Sequence, residues 1–117
     1  MCVVLLSTDL MFAPRVSSVA RALGGACRMV SPSQLDEALN ADTLLVLVDL
    51  AMPGIEPSQL VAKVRQIAGQ AGVEAFGQHV HEDRLAAAQA AGCDQVISRG
   101  ELHGRLPDIL GKYLARD

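Results

Sequence analysis

Apolar residues in this chain alternate between short unbroken runs and stretches with helical spacing. Val3 to Leu6 is uninterrupted, the form of a strand buried on both faces. From Pro14 the spacing changes: Val16, Val19, Ala20 and Leu23 share one helical face, and Gly24-Gly25 ends the helix. Cys27 to Val30 is a weaker strand with one charge, suited to a sheet edge. Ser31 is placed as an N-cap, with Pro32 at the first helical position and Gln34 at the third, as a capping box requires. That helix is expected to run through Leu35, Ala38 and Leu39 and to stop near Asn40.

The second half repeats the alternation. Leu44 to Val48 is the most apolar run, and Pro53-Gly54 turns the chain after it. Pro57 opens a helix presenting Leu60, Val61, Val64 and Ile67-Ala68, with Gly69 and Gly72 flanking its end. Val73 to Phe76 is a short strand, Glu82 to Ala91 an Ala-rich helix ending at Gly92, and Val96-Ile97 the last strand. Ser98 and Glu101 carry a second capping-box pattern. The closing helix contains Leu102, Leu106, Ile109-Leu110 and Tyr113-Leu114, and Pro107 inside it predicts a start near Arg105 or Leu106. Five β-α units predict one α/β domain over residues 1–117, a doubly wound, five-stranded parallel sheet with helices on both faces.

Composition narrows the function classes. At 117 residues the chain can bury a core without a disulfide or metal staple. Aromatic residues make up 3%, leaving few groups to stack on bases or sugars, and the net charge of −3 argues against a phosphate-backbone binder. Cys2, Cys27 and Cys93 form no CxxC and no regular spacing; Cys27 and Cys93 read as small buried side chains. The first residues lack a secretory pattern and no apolar run reaches membrane-span length, so a cytoplasmic protein that engages neither membrane nor nucleic acid is expected.

The residue that stands out chemically is Asp49, a carboxylate at the end of the most apolar strand, just before Leu50-Ala51-Met52-Pro53-Gly54. Burying an unpaired carboxylate is costly, and the C-terminal edge of an α/β sheet is where ligands gather. His79 and His81 lie in the loop after the fourth strand; an H-x-H fragment alone falls short of a zinc site, and His81 or its neighbours would help cap the following helix. His103 reads as a surface or helix-start residue. Met11 and Phe12 are open to two readings, a partner-binding surface or packing against the first helix. Arg84, Arg99 and Arg105 read as solvated charges rather than an anion-binding face.

Asp49-Leu50-Ala51-Met52-Pro53-Gly54 resembles the D-x-x-M-P-G segment of bacterial response-regulator receiver domains, and Ala91-Gly92-Cys93-Asp94 resembles their A-G-A-D turn. The resemblance spans essentially the whole chain and implies a CheY-like, flavodoxin-like sheet of order 2-1-3-4-5. It implies Asp49 as phosphoacceptor from a histidine kinase. Two acids that help hold Mg²⁺ in that family fall on Ser7 and Thr8, with Asp9 one residue late. The family hydroxyl falls on Gly77, the family Lys-Pro pair on Arg99-Gly100, and the switch aromatic on Val96. Arg keeps the charge of Lys but brings a planar fork and a different reach.

These departures imply a pseudo-receiver: a regulatory domain that works by protein–protein contact, with no cofactor and a degenerate site of Asp49, Ser7, Thr8, Asp9, Gly77 and Arg99. The alternative is a working phosphoacceptor using Mg²⁺ held by Asp9 and Asp49. A small hydrolase on the same fold is the remaining reading, disfavoured because no nucleophile–base pair is apparent. Expected partners are a histidine kinase or downstream regulator, or a second copy meeting through the last two helices and fifth strand.

Overall fold

The computed structural model describes residues 1–114; residues 115–117 lie outside it. The elements follow the order β1 (Cys2–Leu6), α1 (Ala13–Ala22), β2 (Ala26–Val30), α2 (Leu35–Ala38), β3 (Thr43–Asp49), α3 (Pro57–Ile67), β4 (Gly72–Gly77), α4 (Glu82–Ala90), β5 (Gln95–Ser98) and α5 (Arg99–Leu114). The strands form one parallel sheet of order β2-β1-β3-β4-β5. The expected α/β architecture and strand order are those observed.

Side chains alternate across the sheet, so each strand feeds two cores. Val4, Leu6, Val46, Val48, Val73 and Ala75 point to one face, where Leu35, Leu60, Val61, Val64 and Ala88 from α2, α3 and α4 cover them. Val3, Leu5, Leu45, Leu47, Phe76 and Ile97 point to the other, under α1 and α5. This is why the central strands read as continuous apolar runs: both faces are dry. Truncating any one of the fully buried leucines, such as Leu5 or Leu47, to Ala is expected to cost about 2–5 kcal/mol.

Three local expectations need correction. The segment after Ser31 is not one helix: Pro32–Gln34 is a 3₁₀ turn, and only Leu35–Ala38 is α-helical. Gln34 Oε1 does accept the Ser31 N–H at 3.0 Å, so the entry signal operates, but Leu39 is extended and ends the helix early. The last helix starts at Arg99 rather than near Arg105. Ser98 Oγ accepts the Glu101 N–H at 3.1 Å and caps its first turn, while Arg105 (φ −116°, ψ 15°) breaks the helix into two segments. Pro107 then sits in the opening turn of the second segment, where its missing N–H costs little. Finally, His81 occupies the N-cap position of α4 without a side-chain capping bond; only its carbonyl accepts, from Arg84 and Leu85.

The Ala91-Gly92-Cys93-Asp94 turn has a clear structural task. Gly92 takes φ +98°, which favours glycine. Asp94 Oδ2 then accepts the Val73 N–H at 2.7 Å and Arg65 Nη2 at 3.0 Å, while Asp94 N–H donates to the Val73 carbonyl. The turn thereby pins the start of β4. Burial pushes the Asp94 carboxyl up, but the Val73 N–H and the Arg65 guanidinium outweigh it and hold it below its ordinary value.

Candidate functional site

The carboxyl ends of β1 and β3 lie side by side, Leu6 paired with Val48, so the residues that follow them meet. Asp49 is 4% exposed. Its Oδ1 accepts the Ala51 N–H at 3.0 Å, a bond created by the tight turn in which Met52 N–H also reaches the Asp49 carbonyl. Its Oδ2 accepts the Ser7 hydroxyl at 2.7 Å and faces Arg99 Nη1 at 3.5 Å. The carboxylate thus has partners on both oxygens.

Ser7 is buried and works in both directions: its Oγ donates to Asp49 and accepts the Asp9 N–H at 3.0 Å. Asp9 organises the loop into α1, with Oδ1 accepting from Met11 N–H at 2.9 Å and Phe12 N–H at 3.2 Å. Its Oδ2 is ion-paired with Arg99 Nη2. Burial tends to raise the Asp9 carboxyl, but the Met11 N–H and the Arg99 guanidinium prevail and hold it below its usual value. Arg99 leaves the end of β5 with its Cζ 5.6 Å from the centre of the Phe76 ring, a cation–π placement that fixes the fork between the two acids. One guanidinium therefore spans Asp9 and Asp49.

The remaining expected members take different places. Thr8 is exposed and stands outside this network of bonds. Gly77 is buried at the end of β4, and a Cβ built there would meet Leu50 at 3.4 Å and Leu85 at 3.6 Å, ordinary contacts. Val96 is half-buried and packs against the core beneath α2, α3 and α4. Phe12 and Met11 separate. Phe12 is buried, edge-on to Phe76 at 5.6 Å and stacked on His103 at 4.5 Å; Met11 is 89% exposed. His103 is thus a packing partner, and its carbonyl also accepts Arg15 Nη2 at 2.7 Å. Leu10 (72% exposed) joins Met11 on the β1–α1 loop, and Val80 (68%) projects from the β4–α4 loop on the same sheet edge.

Arg99 was expected to stand in for a lysine; its bridging of both acids was not foreseen, because it depends on where α5 starts. Glu74 was missed altogether. It is a buried acid within β4, and the only signal for it is a single charge inside Val73-Glu74-Ala75-Phe76.

The chemistry open to the cluster follows from its donors. Mg²⁺ prefers about six oxygen ligands and is drawn by unpaired carboxylates. Here the two nearest carboxylates converge on a guanidinium, and the third position holds a hydroxyl that donates to one of them. Among the described residues, no group of three or more His, Cys, Asp or Glu is placed to hold a metal. The donor set therefore does not match a Mg²⁺ site as arranged. Nor are the cysteines set up as nucleophiles. All three are half-buried, and burial, with Cys2 adding to it, pushes the Cys27 thiol up to about 12. No described helix is long and apolar enough to cross a membrane.

No family model matches the sequence, and no curated protein matches it. Solved structures do match the fold. A response regulator from Thermotoga maritima aligns at TM-score 0.77 and 17% identity, covering 98% of each chain. The receiver domain of a Pseudomonas aeruginosa sensor histidine kinase, with magnesium coordinated in its active-site cleft, aligns at TM-score 0.72 and 14% identity, covering 98% of each chain. A response-regulator receiver domain from Rhodospirillum rubrum aligns at TM-score 0.73 and 13% identity, covering all of this chain and 96% of that one. At these identities the likeness establishes architecture: the chain has the fold of response-regulator receiver domains.

Proposed function

We propose that this chain is a receiver-like signalling domain that acts through protein–protein contact, with Asp49 retained as a structural carboxylate. The observation that carries this reading is the Arg99 bridge. Phosphoryl transfer needs an available carboxylate oxygen and positive charge focused on the incoming phosphoryl oxygens. Asp49 already accepts from Ala51, Ser7 and Arg99, and the charge of Arg99 is shared with Asp9. The hydroxyl expected at the end of β4 is absent at Gly77. The exposed apolar Leu10, Met11 and Val80 favour a macromolecular partner at this edge, a histidine kinase or downstream regulator. A homodimer through α4, β5 and α5 is the other arrangement consistent with this reading.

The second reading, phosphoryl acceptance at Asp49, is favoured by the convergence of Asp9 and Asp49 on one cation: with Arg99 swung away, two carboxylates face the same space. Intact-mass measurement after treatment with acetyl phosphate and Mg²⁺ separates the two. The proposed function predicts an unchanged mass for the wild type and for Asp49→Asn. A phosphoryl mass on the wild type that Asp49→Asn abolishes would establish the second reading instead.

A further inference from the structure

Glu74 is the buried carboxylate that the site does not use. It is 1% exposed within β4, between Leu47 of β3 and Gln95 of β5, on the sheet face that α5 covers. Its Oε2 accepts the Tyr113 hydroxyl at 2.6 Å and lies 3.1 Å from Lys112 Nζ, while Oε1 is buried without a hydrogen-bond partner. The same ammonium sits 5.1 Å from the centre of the Tyr113 ring. Asp94, the neighbouring acid, feels the Lys112 charge but is itself bonded to Val73 and Arg65. Among the described residues, Lys112 is therefore the cation paired with Glu74.

A buried ion pair contributes little net stability when intact, yet removing one partner is strongly destabilising because the other charge is left uncompensated. The exposure of the two partners is unequal. Glu74 is almost fully buried, whereas the Lys112 side chain is 54% exposed and open to reagents. The charge that compensates Glu74 beneath the end of α5 can thus be removed from outside the fold.

We propose that Lys112 is a modification-sensitive latch on α5, opened by acylation of Nζ. In that reaction an amide bond forms between Nζ and the acyl carbon of a thioester, the C–S bond breaks, the thiol departs and the amine proton goes to solvent. The product is neutral, so Glu74 loses its counter-charge. Lys63, the other lysine of the chain, supplies an internal control: it pairs with Asp36 at 2.7 Å, but both side chains are well exposed. Exposed pairs of this kind contribute little.

The test is amide hydrogen exchange on the full chain carrying acetyl-lysine at position 112 alone or at position 63 alone. Acetylation at 112 is expected to speed exchange across Ile109–Leu114 at least about tenfold, and at 63 less than about twofold. Lys112→Arg keeps the charge and is expected to exchange like the wild type. In a Glu74→Gln background, acetylation at 112 is expected to change exchange less than about threefold, because no buried charge remains to be compensated. This comparison remains decisive if acetylation at 112 unfolds the wild-type chain. Equal effects at 112 and 63, or an undiminished effect in the Glu74→Gln background, would overturn the proposal.

Discussion

Replacing Arg99 with Met removes the cation shared by Asp9 and Asp49 while keeping an apolar stem against Phe76. Nη1 stands 3.5 Å from Asp49 Oδ2, and at an effective dielectric of about 20 the gross attraction is about 5 kcal/mol. The desolvation of two charged groups offsets much of it, but Arg99 keeps part of its hydration, its side chain being 28% exposed. A net loss of about 2 kcal/mol is expected, between the value of a surface pair and the cost of breaking a buried one. At about 4–8 °C per kcal/mol for a domain near this size, the melting temperature should fall by about 10 °C. The decisive assay is a urea-unfolding cycle over wild type, Arg99→Met, Asp49→Asn and the double variant. If Arg99 compensates the buried charge, the double variant should be about 1.5 kcal/mol more stable than additivity predicts. Additivity within about 0.5 kcal/mol would refute the assignment and leave Asp49 supported by Ser7 and Ala51 alone.

Other outcomes follow from packing and charge. Gly72→Ala would set a Cβ 2.3 Å from Tyr113 Cε1, beneath a ring whose hydroxyl is anchored on Glu74; a loss of about 1–3 kcal/mol is expected in urea unfolding. Gly77→Ser, with Cβ contacts of 3.4–3.6 Å, should change stability by less than about 1 kcal/mol in the same assay, because the position has room for a small side chain. Asp9 and Asp94 both titrate below their ordinary value when folded, each through N–H and arginine partners that outweigh burial. Their contributions are present above the unfolded-state value near 3.8 and are lost as pH falls through the lowered folded values. Asp94→Asn should therefore flatten the acid limb of a stability–pH curve measured from pH 6 down to pH 2, and an unchanged limb would count against the Arg65–Asp94 pairing.

How much was legible beforehand depended on how local the cause was. The strands Val3–Leu6 and Leu44–Val48 show themselves because a strand buried on both faces must be apolar at every position. The Ser31–Gln34 entry signal was also visible, but the length of the helix behind it was not, because Leu39 turns extended to reach the core. Proline chemistry suggested that the last helix starts near Arg105, where the helix in fact only breaks, and so concealed the six residues before it, which Ser98 caps. Met11 and Phe12 could not be told apart. Their opposite fates depend on His103 and Phe76, which arrive from distant parts of the chain. The receiver resemblance put Ser7 and Arg99 near Asp49, but not the sharing of one guanidinium by two acids, which needs the exit direction of β5.

The division of the core between two sheet faces has a consequence for how the chain acquires its structure. Leu102, Leu106, Ile109, Leu110, Tyr113 and Leu114 of α5 supply much of the cover over the face formed by Val3, Leu5, Leu45 and Leu47. These contacts join the two ends of the sequence, as does the Asp9–Arg99 pair, separated by 90 positions. The other face can collapse earlier, since α2, α3 and α4 are local to their strands. Until α5 docks, that face has only α1 over it and leaves apolar surface open to other chains. Closure of that face therefore waits for α5 to dock.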